Sequence, residues 1–355
     1  MAVLPKPRIE AIQTVTTFKM TDPRVTQTVE LGPASSFGAC FNTVLYFKRG
    51  DEGSDFSGWD TAGWIKDSLG KAFVDEPLLC GRLRRTQEGS KDSLEIVSND
   101  SGCRLVEARI GISIEEFMGS EGREEAEAGL VYWKDIDQEN PQYCPLFYVQ
   151  VTNFQCGGYS IGISCSLLLA DPPFITTFLK RWATIHSNLV SKITPTVKKP
   201  IFYLHKVSTT NPLSPSALSP SPSPCRKLAR TAIFKADGAV NSNPNWLALR
   251  CVEDAEKAVE AELGPRFPLL VREKSGQVKV ITIAKDDGSV RAHPGPGDHP
   301  CRMRWESFGA DQIAFREGKL PTTVSQWIGT LEGFVMVSPC GGEDDEHRAC
   351  VFATI

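Results

Sequence analysis

The stretch SCSLLLAD, Ser164–Asp171, places a carboxylate at the end of a long strand-like run. From Leu167 to Asp171 the spacing is that of a His-x-x-x-Asp catalytic element, but the position of the base holds leucine. Imidazole suits proton abstraction because its pKa lies near working pH. A leucine side chain has no lone pair to offer. The five histidines supply no replacement. His186 falls on the polar side of the helix predicted after Asp171 and is expected to be exposed. His205 lies beside a Pro/Ser-rich stretch, His293 and His299 flank PGPGD, and His347 follows EDDE. None of them is expected to be catalytic.

Cys165 lies on an apolar strand face, where a thiol is inert because reactivity needs a lowered pKa. Zinc needs clustered ligands at short spacing. Cys340, His347 and Cys350 come nearest to such a cluster and fall short of it, so no metal is expected. Nucleophile elbows of the GxS type, P-loops and dinucleotide-binding fingerprints are absent. No bound cofactor is expected.

The surrounding elements must position Asp171. Residues 146–166, LFYVQVTNFQCGGYSIGISCS, predict two strands joined by a turn at Cys156-Gly157-Gly158. In the second strand Tyr159, Ile161, Ile163 and Cys165 alternate with Ser160, Gly162, Ser164 and Ser166. Period-2 alternation sends the two sets to opposite faces. The small-residue face invites close approach by another element. After Leu167 the sequence predicts a helix with Asp171 as N-cap and Pro172 as its first residue. Phe174, Phe178, Trp182, Ile185 and Leu189 form its apolar stripe.

Elsewhere in the first half, Thr43–Phe47 predicts a strand. Residues 60–73 predict a helix capped by Asp60. Leu94–Val97 and Cys103–Ala108 predict strands around the turn NDSG. Glu121–Glu127 predicts a solvated, charge-rich face. In the second half the runs 267–271, 278–283 and 333–339 predict strands. Residues 258–264 predict a helix end closed by Gly264. The segment 206–224, KVSTTNPLSPSALSPSPSP, offers little to bury and predicts an extended linker. It divides the chain into residues 1–190, a connection at 191–228, and residues 229–355.

With 355 residues and 41% hydrophobic residues the chain can bury a sizeable core. A formal net charge of −4 argues against a nucleic-acid partner. No apolar run reaches the ~18 residues of a membrane span. The N-terminal residues lack the apolar core of a secretion signal, so a cytoplasmic location is expected. The eleven cysteines are then expected to be buried free thiols.

Three segments in the first half carry a family resemblance. IKDSLGKAFVDEPLLCGRL, NDSGCRLVEA and PLFYVQVTNFQCGGYSIGISCSLLLAD resemble, in order and spacing, the conserved segments of the plant BAHD, or HXXXD-type, acyltransferases. The wording of the last two is similar to the eceriferum-type branch, which works in very-long-chain fatty-acid and cuticular wax elongation. The resemblance implies an α/β fold of two chloramphenicol-acetyltransferase-like domains, each a mixed sheet flanked by helices, with a long crossover between them. The second domain is shortened relative to the family. The resemblance also implies that the motif histidine, here Leu167, is the general base and that the motif aspartate, here Asp171, is structural. The family's DFGWG segment is matched in SFGAD only by Phe308 and Gly309. Acyl-CoA is the substrate class that the resemblance implies.

Three functions stay open. One is a non-catalytic accessory factor of fatty-acid elongation, partnered by a condensing enzyme and recruited to the endoplasmic reticulum membrane. Another is an acyl-CoA-dependent O- or N-acyltransferase, or a repurposed relative, working without the usual base. The third is a decayed relative without activity.

Overall fold

The structure, a computed structural model, describes residues 4–30, 38–49, 58–86, 93–192, 229–236, 243–286, 300–340 and 348–355. Most of the linker segment, including all of 206–224, lies outside the described residues, as do His205, His293, His299 and His347. Two mixed sheets organise the chain. The first has six strands in the order β1 (Arg8–Val15), β6 (Cys103–Ile110), β7 (Phe147–Phe154), β8 (Tyr159–Ser166), β3 (Cys40–Phe47) and β13 (Thr323–Gly329). The second has nine: β12 (Cys301–Met303), β9 (Thr231–Ala236), β15 (Ala349–Thr354), β14 (Phe334–Pro339), β10 (Arg266–Arg272), β11 (Val278–Ala284), β2 (Thr26–Glu30), β5 (Ser93–Val97) and β4 (Arg82–Arg85). Among the described residues the α-helices are α1 (Gly58–Ala72), α2 (Ile114–Met118), α3 (Arg123–Glu127), α4 (Pro172–Val190) and α5 (Pro244–Val259).

Strands are exchanged between the sheets. β2, β4 and β5 come from the first half of the chain and extend the sheet built by the second half, where β2 runs parallel to β11. In return β13 pairs antiparallel with β3. One apolar cluster therefore contains Leu167, Phe178 and Trp182 together with Leu270, Met336 and Phe352. The two flanks of the NDSG turn separate, β5 to one sheet and β6 to the other. Asp100 and Gly102 take left-handed backbone conformations there, at φ 55° and 75°.

Every residue of β3, β7 and β8 is buried, so both faces of the first sheet are covered. Helices α1 and α4 cover the large-residue face, where Phe73, Phe147 and Phe178 meet ring to ring. The chain around Leu130 covers the small-residue face. A Cβ on Gly162 would be driven into the carbonyl oxygen of Leu130. Gly162→Ala is expected to cost about 1–3 kcal/mol, the usual penalty of overpacking. Urea denaturation would measure it, and an unchanged midpoint would show that the backbone yields there.

Several local expectations need correction. Helix α1 begins at Gly58, so Asp60 lies within its first turn and is not the cap. Helix α5 ends at Val259 with Glu260 left-handed at φ 54°, four residues before Gly264. The acidic stretch is not wholly a solvated face. Glu127 is buried and its Oε1 accepts hydrogen bonds from Tyr46 Oη at 2.8 Å, Ser325 Oγ at 2.8 Å and Arg123 Nε at 3.0 Å. A buried carboxylate is tolerable when donors surround it, and these donors join β3 to β13. Cys340 and Cys350 are not free thiols. The antiparallel β14–β15 pairing brings their Cα atoms to 5.4 Å, and they form a disulfide. Of the eight free cysteines among the described residues, Cys156 and Cys301 are exposed and the other six are buried.

Candidate functional site

Strand β8 ends at Ser166 and the chain turns at once into α4. Leu169 N and Ala170 N both donate to Ser166 O, at 2.9 and 3.2 Å, which makes the corner tight. Leu167 N donates to Ala39 O at 3.1 Å, and the Leu167 side chain is fully buried in the main apolar cluster. Asp171 caps α4 as its sequence predicts: its Oδ1 accepts from Phe174 N at 2.8 Å.

Two side chains from the second sheet reach across to this corner. Arg272, the last residue of β10, donates through Nη2 to Leu167 O at 2.9 Å and to Leu168 O at 3.2 Å. Its Nε lies 3.6 Å from Asp171 Oδ2, an ion pair too long for a hydrogen bond at that atom. Both partners of the pair are nearly inaccessible, at 9% and 7%. Burial pushes the Asp171 carboxyl above the ordinary aspartate range, and the Arg272 guanidinium opposes that shift. From β2, Gln27 Nε2 donates to Leu168 O at 3.0 Å. Neither Gln27 nor Arg272 is marked by the sequence: a charged residue ending the run FPLLVR has the look of an exposed strand end. The signal for Arg272 is that Asp171, once buried, requires a cation.

The SFGAD segment meets α4 two and a half turns beyond Asp171. Gly309 is left-handed at φ 69°, and Lys180 Nζ donates to Phe308 O at 2.9 Å. Lys180 Nζ lies close to where a Cβ on Gly309 would stand. Phe308 stacks on Phe352 with ring centroids 6.0 Å apart. It packs against the cluster that includes Leu167. Helix α4 thus connects Asp171 with Phe308 and Gly309.

His186 departs from expectation. It is buried, its Nδ1 lies 2.9 Å from Ser68 Oγ, and its ring meets Phe315 edge-on at 5.5 Å. Ser68 also accepts from Trp182 Nε1 at 2.9 Å. The buried arc of α4 runs through Ile175, Phe178, Leu179, Trp182, Ala183 and His186, and Phe174 is exposed. Packing against α1 sets that arc, because Ser68 gives the imidazole a polar partner inside. Burial and the Arg316 charge lower the His186 pKa to about 4, so the ring is neutral. Cys165 is buried and its thiol is pushed well up by burial. Among the described residues no group of three or more His, Cys, Asp or Glu could hold a metal ion. At the corner itself, Leu167 can only pack, and Asp171 is engaged by a helix N–H and Arg272.

The sequence matches the Transferase family over residues 37–239. It is 27% identical over 240 residues to Protein ECERIFERUM 26 of Arabidopsis thaliana, covering 66% of this chain and 51% of that protein. It is 28% identical over 212 residues to a hydroxycinnamoyltransferase of Narcissus pseudonarcissus, covering 58% and 44%. Protein ECERIFERUM 26-like of Arabidopsis thaliana is 32% identical over 119 residues, 34% of this chain and 27% of that protein. The matches thus span about a quarter to a half of the length of these relatives. The crystal structure of vinorine synthase shares the fold, with a TM-score of 0.50 at 14% identity and coverage of 99% of this chain and 94% of that one. A family match over more than half of the chain, and a shared fold along nearly all of it, make this chain a member of the Transferase family of BAHD acyltransferases.

Proposed function

We propose that this chain is a BAHD-fold protein without the family's general base, acting as a non-catalytic accessory factor in very-long-chain fatty-acid and cuticular wax elongation. The observation that carries the reading is Leu167: a fully buried, apolar side chain at the position of the motif histidine. Loss of a positioned base typically costs ~10²–10⁴-fold in rate. The neighbouring Asp171 is engaged in capping and an ion pair, so it offers no substitute. Similarity to Protein ECERIFERUM 26 supports the branch. No helix among the described residues is long and apolar enough to cross a membrane. In this reading the protein is cytoplasmic and is recruited to the endoplasmic reticulum by a condensing-enzyme partner, with acyl-CoA as the ligand class of the fold.

Co-expression with a plant condensing enzyme in yeast tests the proposal. The expected outcome is a shift toward longer acyl chains that survives Leu167→Ala, since leucine there packs and does not react. An unchanged product profile, with the protein folded and abundant, would overturn it. The second reading, an acyl-CoA-dependent O- or N-acyltransferase working without the base, is favoured by similarity to the hydroxycinnamoyltransferase. It requires release of free CoA from an acyl-CoA and acceptor panel by the unaltered protein.

A further inference from the structure

The far end of β8 carries a feature that the acyltransferase reading does not use. Tyr159 opens the strand and Ser166 closes it, so this end lies about 23 Å from the Leu167 corner at ~3.3 Å per residue. A cleft of about 200 Å³ opens there. Its floor is aromatic: Phe47 and Tyr159 stack with centroids 5.3 Å apart and planes at 22°. Its walls carry Lys48, Arg49, Arg316 and Lys319, and Leu320 stands at the rim, 57% exposed.

The backbone is shaped to gather these cations. Arg316 and Lys319 are joined by a tight turn in which Lys319 N donates to Arg316 O at 3.0 Å and Gly318 is left-handed at φ 69°. Gly157, left-handed at φ 82°, leaves room for Arg49, whose Cδ would lie 2.9 Å from a Cβ at that position. Two turns and one strand end from distant parts of the chain therefore bring four cations to one cleft. Lys48 pairs with Glu115 at 3.0 Å, but both side chains are more than half exposed, at 55% and 58%. An exposed pair of this kind is weak and exchanges readily for another anion. Glu317, in the Arg316–Lys319 turn, is exposed as well.

We propose that this cleft binds a phosphate group, with its aromatic floor and Leu320 meeting the organic part that carries the phosphate. Guanidinium and ammonium groups around an apolar floor match that chemistry: arginine engages phosphate oxygens in pairs, and lysine supplies a point charge. A soluble phosphate ester and the headgroup of a phosphatidate-type lipid share this recognition.

Pyrophosphate is the first probe, titrated calorimetrically into the intact protein. Saturable binding is expected, weakening as salt is raised. The double variant Lys48→Ala/Lys319→Ala should weaken it about 10-fold or more, because two charge-assisted contacts are lost. Lys257→Ala, on exposed α5 surface remote from the cleft, should leave it unchanged. Vesicles of phosphatidylcholine with and without phosphatidate separate the sources. Phosphatidate-dependent, lysine-dependent recruitment assigns the headgroup, and pyrophosphate binding without recruitment assigns a soluble ester. Absence of pyrophosphate binding, or equal loss in the Lys257 variant, overturns the proposal. Acids elsewhere in the chain would then already neutralise the cleft.

Discussion

Replacing Arg272 with alanine is expected to cost about 3–5 kcal/mol of stability, the penalty of breaking a buried ion pair by removing one partner. The change leaves Asp171 inaccessible with only Phe174 N for company. It also removes a donor from the carbonyls of Leu167 and Leu168. The corner would lose its main tie to the second sheet, because Arg272 is the residue of β10 that reaches it. Urea denaturation of wild type, Arg272→Ala, Asp171→Asn and the double variant would measure the coupling. Asparagine keeps the N-cap, so Asp171→Asn isolates the charge. The double variant is expected to be more stable than the sum of the single losses predicts, since it no longer buries a lone charge. Additive losses, or a midpoint for Arg272→Ala within about 0.5 kcal/mol of wild type, would show that the pair does not hold the corner.

The second large effect is a dependence of stability on pH that traces to His186. Its pKa falls from 6.5 to about 4 on folding. Between those values the unfolded chain binds a proton that the folded chain refuses, so stability is lost as pH falls through the window. At ~1.4 kcal/mol per pKa unit the loss amounts to about 3 kcal/mol by pH 4. Asp171 acts in the opposite sense. Its folded pKa is raised, so its contribution is lost as pH rises above the ordinary aspartate value near ~3.9. Glu107, raised mainly by burial, behaves the same way. The test is therefore a difference. Stability profiles of wild type and His186→Gln from pH 7 to pH 4.5 should converge as pH falls, with the variant losing about 2–3 kcal/mol less. Parallel profiles would show that the imidazole titrates alike in both states and that its burial against Ser68 and Phe315 does not depress its pKa.

These two residues mark the boundary between what local chemistry encodes and what packing decides. The cap at Asp171 is legible because Asp followed by two prolines has one good local solution: an extended residue whose side chain accepts from the first turn. The β7–β8 hairpin is legible because alternation and the Cys156-Gly157-Gly158 turn agree. The small-residue face of β8 is legible too, since serine and glycine at every second position leave space that another backbone fills. Leu167 itself is a statement of the sequence alone, because no packing can give its side chain a lone pair.

His186 is different. Position on a helical wheel says only which residues share a face, and the neighbour determines which face is buried. Ser68, more than a hundred residues earlier, turns a polar edge into an interior one. Arg272 is different for the same reason, since its partner lies about a hundred residues away, at the N-cap of α4 where the chain leaves the first sheet. The exchange of β13 for β2, β4 and β5 has no local signal, because a strand's sequence does not name its sheet. The sequence by itself determined the β7–β8 hairpin, the capped helix that follows it and the absence of a base at position 167. Tertiary structure alone decided which charges are buried and paired, which cysteines meet, and how the two sheets close on the corner, because each depends on groups that only long-range pairing brings within a few ångströms.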